Sequence, residues 1–152
     1  KREYAAVCMG ALPGGGTVDE PIGRHPHART KMAVVRDGKP AITHYRVTER
    51  FGHYTSLAVN LETGRTHQIR VHMAFKKHPL VGDPVYGGRL KLPAGASDVL
   101  TDGLRGFARQ ALHARTLAFD HPTRGERVQF ETALPEDLNA LLALLRAEDG
   151  GL

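Results

Sequence analysis

At 152 residues and 41% apolar content, the chain is the size of one domain and holds enough apolar side chains for a real core, which excludes a low-complexity tract. A net charge of +5 and a pI near 9.7 favour a polyanionic partner, nucleic acid first, although a basic soluble protein without such a partner has the same totals. A single cysteine, Cys8, excludes an internal disulfide and fits a reducing cytoplasm.

The chain starts at Lys1 without a Met or a signal peptide and enters the strand-like "EYAAVCMGAL" at once, so further residues are expected upstream. "PGGG" (Pro13 to Gly16) is a turn cluster. "TVDEPIGRHPHARTK" follows neither a helix nor a strand period and predicts an irregular loop carrying Arg24, His25, His27, Arg29 and Lys31. The next segment predicts a hairpin: Met32 to Arg36, a turn at Asp37 and Gly38, then Ala41 to Thr48. "YTSLAVNLETG" alternates, with Leu57, Val59 and Leu61 opposite Ser56 and Asn60, which predicts a half-buried strand stopped by Gly64.

A short helix is predicted next, with Thr66 as N-cap, Lys76, Lys77 and His78 in its last turn, and Pro79 as its stop. "LPAGASDVLTDGLRGF" is Gly-rich and weakly periodic and predicts a surface excursion. "QALHARTLAFDHP" and "RVQFETAL" predict two strands joined through "HPTRGE". "PEDLNALLALLRAE" closes the chain as an amphipathic helix with a stripe of Leu138, Leu141, Leu142 and Leu145. It is the densest apolar stretch, and Asn139 and Arg146 break it, so no membrane span is expected. The class is α+β, with a mixed, mainly antiparallel sheet and packed helices.

On the short helix, His67, Arg70, Val71 and Ala74 share one face, with Ile69, Met73 and Lys76 on the adjoining one. Arg70 therefore sits among apolar neighbours. It can snorkel to water over Met73 and Ala74, or pair with a carboxylate or phosphate, and spacing leaves both open. Asp83, beside Gly82 and Pro84, reads as a turn former. Of the nine histidines, His67 and His72 are five apart, off a common helix face, and His25 and His27 lack a Cys or acidic companion at ligand spacing. No metal site is expected.

"LETGRTHQIRVHM" followed by "HPLVGDPVYGG" resembles the late motif of the RluA/RluD-type RNA pseudouridine synthases. "KREYAAV", "GTVDEPIGRHPHARTKMAV", "GKPAITHYRV" and "QALHARTLAFDHP" resemble further signatures of that family, in the same order over nearly the whole chain. The likeness is strongest to the RluD branch, which acts on large-subunit ribosomal RNA. It implies the pseudouridine synthase fold, with residues 1–152 forming the C-terminal part of the catalytic domain. Such enzymes detach uracil from ribose, turn the base over and rejoin it through carbon, without metal or organic cofactor. Their catalytic aspartate lies in an Arg-Leu-Asp motif that does not occur here, so that segment is expected upstream.

The resemblance implies that Arg70 salt-bridges that aspartate and that Tyr4 is the active-site tyrosine, stacking on uracil or transferring a proton; read alone, Tyr4 is a core aromatic on a strand. Ile69 is a candidate floor for the base pocket, and equally readable as core. Arg24, Arg29, Lys31, Arg65, His67, Lys76, Lys77 and Arg89 are the candidate RNA contacts. Each alone reads as a solvated charge, and together they suit a groove for ribosomal RNA. The alternative is a non-catalytic RNA-binding module. The isolated segment is expected to be inactive.

Overall fold

The computed structural model describes residues 2–120 and 122–150. In chain order the elements are β1 (Arg2–Met9), β2 (Gly16–Asp19), β3 (Ile22–Arg24), β4 (Met32–Val34), β5 (Ile42–Arg50), β6 (Tyr54–Leu61), α1 (Gln68–Phe75), α2 (Asp98–Gly106), β7 (Leu112–Asp120), β8 (Arg127–Glu131) and α3 (Glu136–Gly150). Six strands form one sheet in the order β2-β5-β6-β1-β7-β8, and β3 and β4 form a separate two-stranded ribbon. Every described pairing is antiparallel. This is the expected α+β class.

The strand period of two divides β1 between two cores. Ala6 and Cys8 pack with Leu57, Val59, Ile69, Met73 and Leu80, so this face of the sheet carries α1. Val7 joins Leu100, Leu104, Leu138, Leu141, Leu142 and Leu145, so the opposite face carries α2 and α3. A third, smaller cluster of Ile22, Ala41 and Val71 joins α1 to the β3–β4 ribbon, with Met32 and Val34 packed against it. The helix is thus enclosed between sheet and ribbon, and Gln68 to Met73 are all buried. Cys8 is fully buried, and burial pushes its thiol up to about 12, so it is inert core rather than a nucleophile.

Four expectations change. Thr17 to Lys31 is not all loop, because it supplies β2 and β3. Their runs of four and three residues are too short to show a period. Met32 to Thr48 is not a hairpin: β4 pairs with β3, while β5 is flanked by β2 and β6. The Asp37–Gly38 turn instead returns the chain alongside β3, through an isolated bridge between Ile22 and Lys39. The stretch around Asp98 is a helix, capped by the Ser97 side chain accepting from the Leu100 amide and buried through Leu100 and Leu104. Finally, His67 rather than Thr66 is the N-cap of α1, in a left-handed conformation with φ 56° and without a side-chain cap.

The far end of α1 closes as a Schellman turn, with the amides of Lys77 and His78 donating to the carbonyls of Ala74 and Met73. Lys77 takes the left-handed position at φ 70°. The leucine stripe of α3 is buried as expected, and the carbonyl of Pro135 accepts from the amide of Asn139. Strands β7 and β8 are joined through Pro122 to Glu126; His121, the first residue of the expected turn, lies outside the described residues, as does Lys1. Among the described residues, no helix is long and apolar enough to cross a membrane.

Candidate active site

A buried amide fixes the entry to α1. The carboxamide oxygen of Gln68 accepts from the Thr63 hydroxyl at 2.7 Å and the Arg65 amide at 3.0 Å. Its nitrogen donates to the Ile42 carbonyl at 3.0 Å and to Thr43 Oγ1 at 2.9 Å. All four hydrogen-bonding positions are filled, so the loop carrying Arg65 and His67 is tied to β5. Thr43 Oγ1 donates its own proton to His72 Nδ1 at 2.7 Å, and His72 Nε2 donates to the Glu20 carbonyl at 2.9 Å.

His72 is fully buried and neutral, with burial lowering its pKa against the opposing pull of the Glu20 carbonyl. The unfolded chain takes up a proton near pH 6.5 that the folded chain refuses, so stability is complete above that pH and falls below it. Thermal melts are expected to show the midpoint dropping between pH 6.5 and 5, with a shallower slope in His72→Gln. An unchanged slope would remove His72 as the cause.

Arg70 makes a two-pronged ion pair. Nε donates to Asp83 Oδ2 at 2.9 Å and Nη2 to Oδ1 at 2.8 Å, with the arginine side chain 10% exposed and the aspartate 0%. Asp83 Oδ1 also accepts from the amides of Val85 and Tyr86, which folds "GDPVYGG" into its turn. The sequence reading of Asp83 as a turn former is correct but incomplete, since it is also the buried partner of Arg70. Burial alone would raise the Asp83 carboxyl; the Arg70 hydrogen bonds and the two amides outweigh it and hold the group below its usual range. Arg70 is correspondingly raised, first by its hydrogen bond to Asp83.

The aromatic ring of Tyr86 lies 5.0 Å from the guanidinium carbon. Its hydroxyl accepts from the Met32 amide at 3.0 Å and donates to His67 Nδ1 at 2.8 Å. Neutral His67 therefore carries its proton on Nε2. Burial, then the Arg70 charge, lower its pKa. Among the described residues, Arg70 Nη1 makes no hydrogen bond. With Nε and Nη2 directed at Asp83, the guanidinium keeps one edge for a further acceptor.

Tyr4, Arg65, His67, Ile69 and Arg70, all singled out in the sequence, line one cavity of about 270 Å³ together with Arg2, Gln110 and Leu112. Ile69 is also core, packed with Met73 and Leu80 beneath. Arg65, whose Nε is held by the Pro40 carbonyl at 2.8 Å, lines a second cleft of about 450 Å³ with Arg24 and Lys39. The two openings share Gly64 and Arg65. Arg29 is exposed, and its carbonyl accepts from Arg24, closing the basic loop in which Lys31 is half-buried. Lys76 is exposed at the end of α1; Lys77 and Arg89 line a separate cavity. The sequence reading missed Arg2 and Lys39. Arg2 was detectable, because the period of two places it on the same face of β1 as Tyr4.

A family model described as RNA pseudouridylate synthase matches residues 1–75. The chain belongs to the RNA pseudouridine synthase family. It is 60% identical over 97% of its length to ribosomal large subunit pseudouridine synthase D of Xanthomonas campestris pv. campestris, and 56% identical over 97% to that of Escherichia coli K12. It spans 44% and 45% of those relatives, less than half of each. Among solved structures, human RNA pseudouridylate synthase domain containing 4 superposes with a TM-score of 0.71 at 28% identity, over 95% of this chain and 62% of that one.

Proposed function

We propose that this chain forms the C-terminal part of the catalytic domain of a cytoplasmic enzyme that isomerises uridine to pseudouridine in large-subunit ribosomal RNA. One observation carries the reading: Tyr4, Ile69 and Arg70 converge on one cavity whose rim continues into the basic cleft of Arg24 and Arg65. A uridine flipped from its stack, at roughly a few kcal/mol, enters this cavity, and phosphate contacts to the basic cleft offset that cost. Ile69 closes the floor beneath the base, and Tyr4 stacks on it. The open edge of Arg70 receives the catalytic aspartate of the upstream Arg-Leu-Asp segment, keeping it ionised and aimed at the sugar. Asp83 serves this by fixing the direction of the guanidinium. No metal or organic cofactor takes part.

The test is a pseudouridylation assay on ribosomal RNA with the full-length protein. Conversion by the full-length protein but not by residues 1–152 supports the proposal. Salt-sensitive binding without conversion, even in the full-length protein, would replace it with the passive module. Tyr4→Phe separates the two roles of the ring. A drop of about a hundred-fold or more in turnover is expected if the hydroxyl moves a proton. Unchanged turnover would restrict Tyr4 to stacking.

A further inference from the structure

A cavity of about 510 Å³ opens at the far end of α1 and is lined by His53, Lys77, His78, Arg89 and Lys91, with no acidic residue in its wall. Its remaining walls come from the end of β1 and from the Gly87–Gly88 and Pro93 stretch. The three strong cations are exposed, and among the described residues no ion pair engages them. Elsewhere on the surface Arg46, Arg109 and Arg146 are each matched by a carboxylate. A concave wall of one sign concentrates its field and draws in anions.

We propose that this cleft is a second RNA subsite, holding backbone phosphates of the same RNA strand that delivers its uridine to the Tyr4–Arg70 cavity. The proposal rests on the functional reading above and adds a location to it. The two openings lie at the two ends of α1, with His67 and Arg70 lining one and Lys77 and His78 the other. At about 1.5 Å rise per residue, the seven steps from Arg70 to Lys77 separate them by roughly 10 Å. An RNA stem is long enough to reach both openings without leaving the protein.

His78 is built into the wall. Its Nδ1 donates to the Met9 carbonyl at 2.9 Å, and a side chain at Gly10 would strike the ring, since a Cβ there would lie 2.5 Å from Nδ1. The Schellman turn at Lys77 fixes where that lysine leaves the helix. Fixed walls with exposed cationic tips suit a repeating phosphate backbone, whose charges are spaced regularly but not chemically distinguished.

The experiment compares full-length wild type with Arg89→Gln/Lys91→Gln and with Arg105→Gln/Arg115→Gln, a control that removes the same charge from exposed positions outside this cleft. Affinity for a ribosomal RNA stem-loop is measured across salt concentrations. The cleft variant is expected to weaken binding about ten-fold or more at 0.1 M salt. It should also flatten the slope of log affinity against log salt by nearly two, at about 0.9 for each phosphate no longer neutralised. Thermal midpoints should stay level, which separates weakened phosphate binding from a damaged fold. Equal slopes and affinities for the cleft variant and the control overturn the subsite. A weakening shared equally by both shows only a general charge effect and overturns it too. The slope is read from binding alone, so failure of wild type to isomerise uridine would sink the functional reading without deciding the subsite.

Discussion

Arg70→Ala in the full-length protein is expected to lower uridine isomerisation by at least about a hundred-fold while leaving RNA affinity within a few-fold, because in the proposed function the arginine positions a reacting carboxylate rather than the RNA. In the structure the partner of Arg70 is Asp83. Removing the guanidinium alone leaves a buried carboxylate uncompensated, a loss of about 3–5 kcal/mol in stability. Activity lost in Arg70→Ala would therefore combine loss of the proposed catalytic contact with a weakened fold.

The double variant Arg70→Met/Asp83→Asn separates the two effects. Methionine replaces the apolar stem of the arginine, and asparagine can still accept from the Val85 and Tyr86 amides. Neither residue is charged, so stability should return to near wild type. Activity should not return, because the open edge of the guanidinium is gone. A double variant that isomerises uridine at the normal rate would reduce Arg70 to a structural residue. Arg70→Lys should fail as well, since an ammonium cannot hold Asp83 in two-pronged geometry and present a second edge.

Asp83→Ala should destabilise at least as much as Arg70→Ala, by about 3–5 kcal/mol, because it strands the Arg70 charge and frees two amides at once. The pH dependence gives it a signature. The folded pKa of Asp83 is depressed below the unfolded value of about 3.9, so the pair's contribution is complete above that pH. It is lost as pH falls through the folded value. The gap in stability between wild type and Asp83→Ala should stay constant from about pH 5 to 8 and close only in stronger acid. The His72 effect begins higher, near pH 6.5, so the two can be resolved on one protein. A gap that narrows already between pH 7 and 6 would contradict the assignment to Asp83.

The elements read correctly and those misread differ in length and in where their hydrogen bonds go. The eight-residue strand β6 shows its alternation, and α3 shows its leucine stripe over fifteen residues. The three-residue strands β3 and β4 have no visible period, and they pair with each other because β5 already has neighbours on both sides. That occupancy is a property of the sheet, absent from any window of sequence. Likewise α2 was hidden among glycines, although Ser97 with Leu100 and Leu104 at helical spacing was available as a signal.

The order and residue types of the motifs determined, from sequence alone, the family and the candidates Tyr4, Ile69 and Arg70. Those features are local and survive as a one-dimensional pattern. Only the tertiary structure decided what Arg70 touches, because Asp83 is thirteen residues away on a loop whose path depends on β1 and the Arg109 segment packing against Gly82. It also decided that Arg65 belongs with Arg24 at the cavity mouth, while Lys77 and Arg89 belong to another cleft. The physical reason is the same in each case. A charge's partner is chosen by distance through folded space, and spacing along the chain carries that distance only within a single helix or strand.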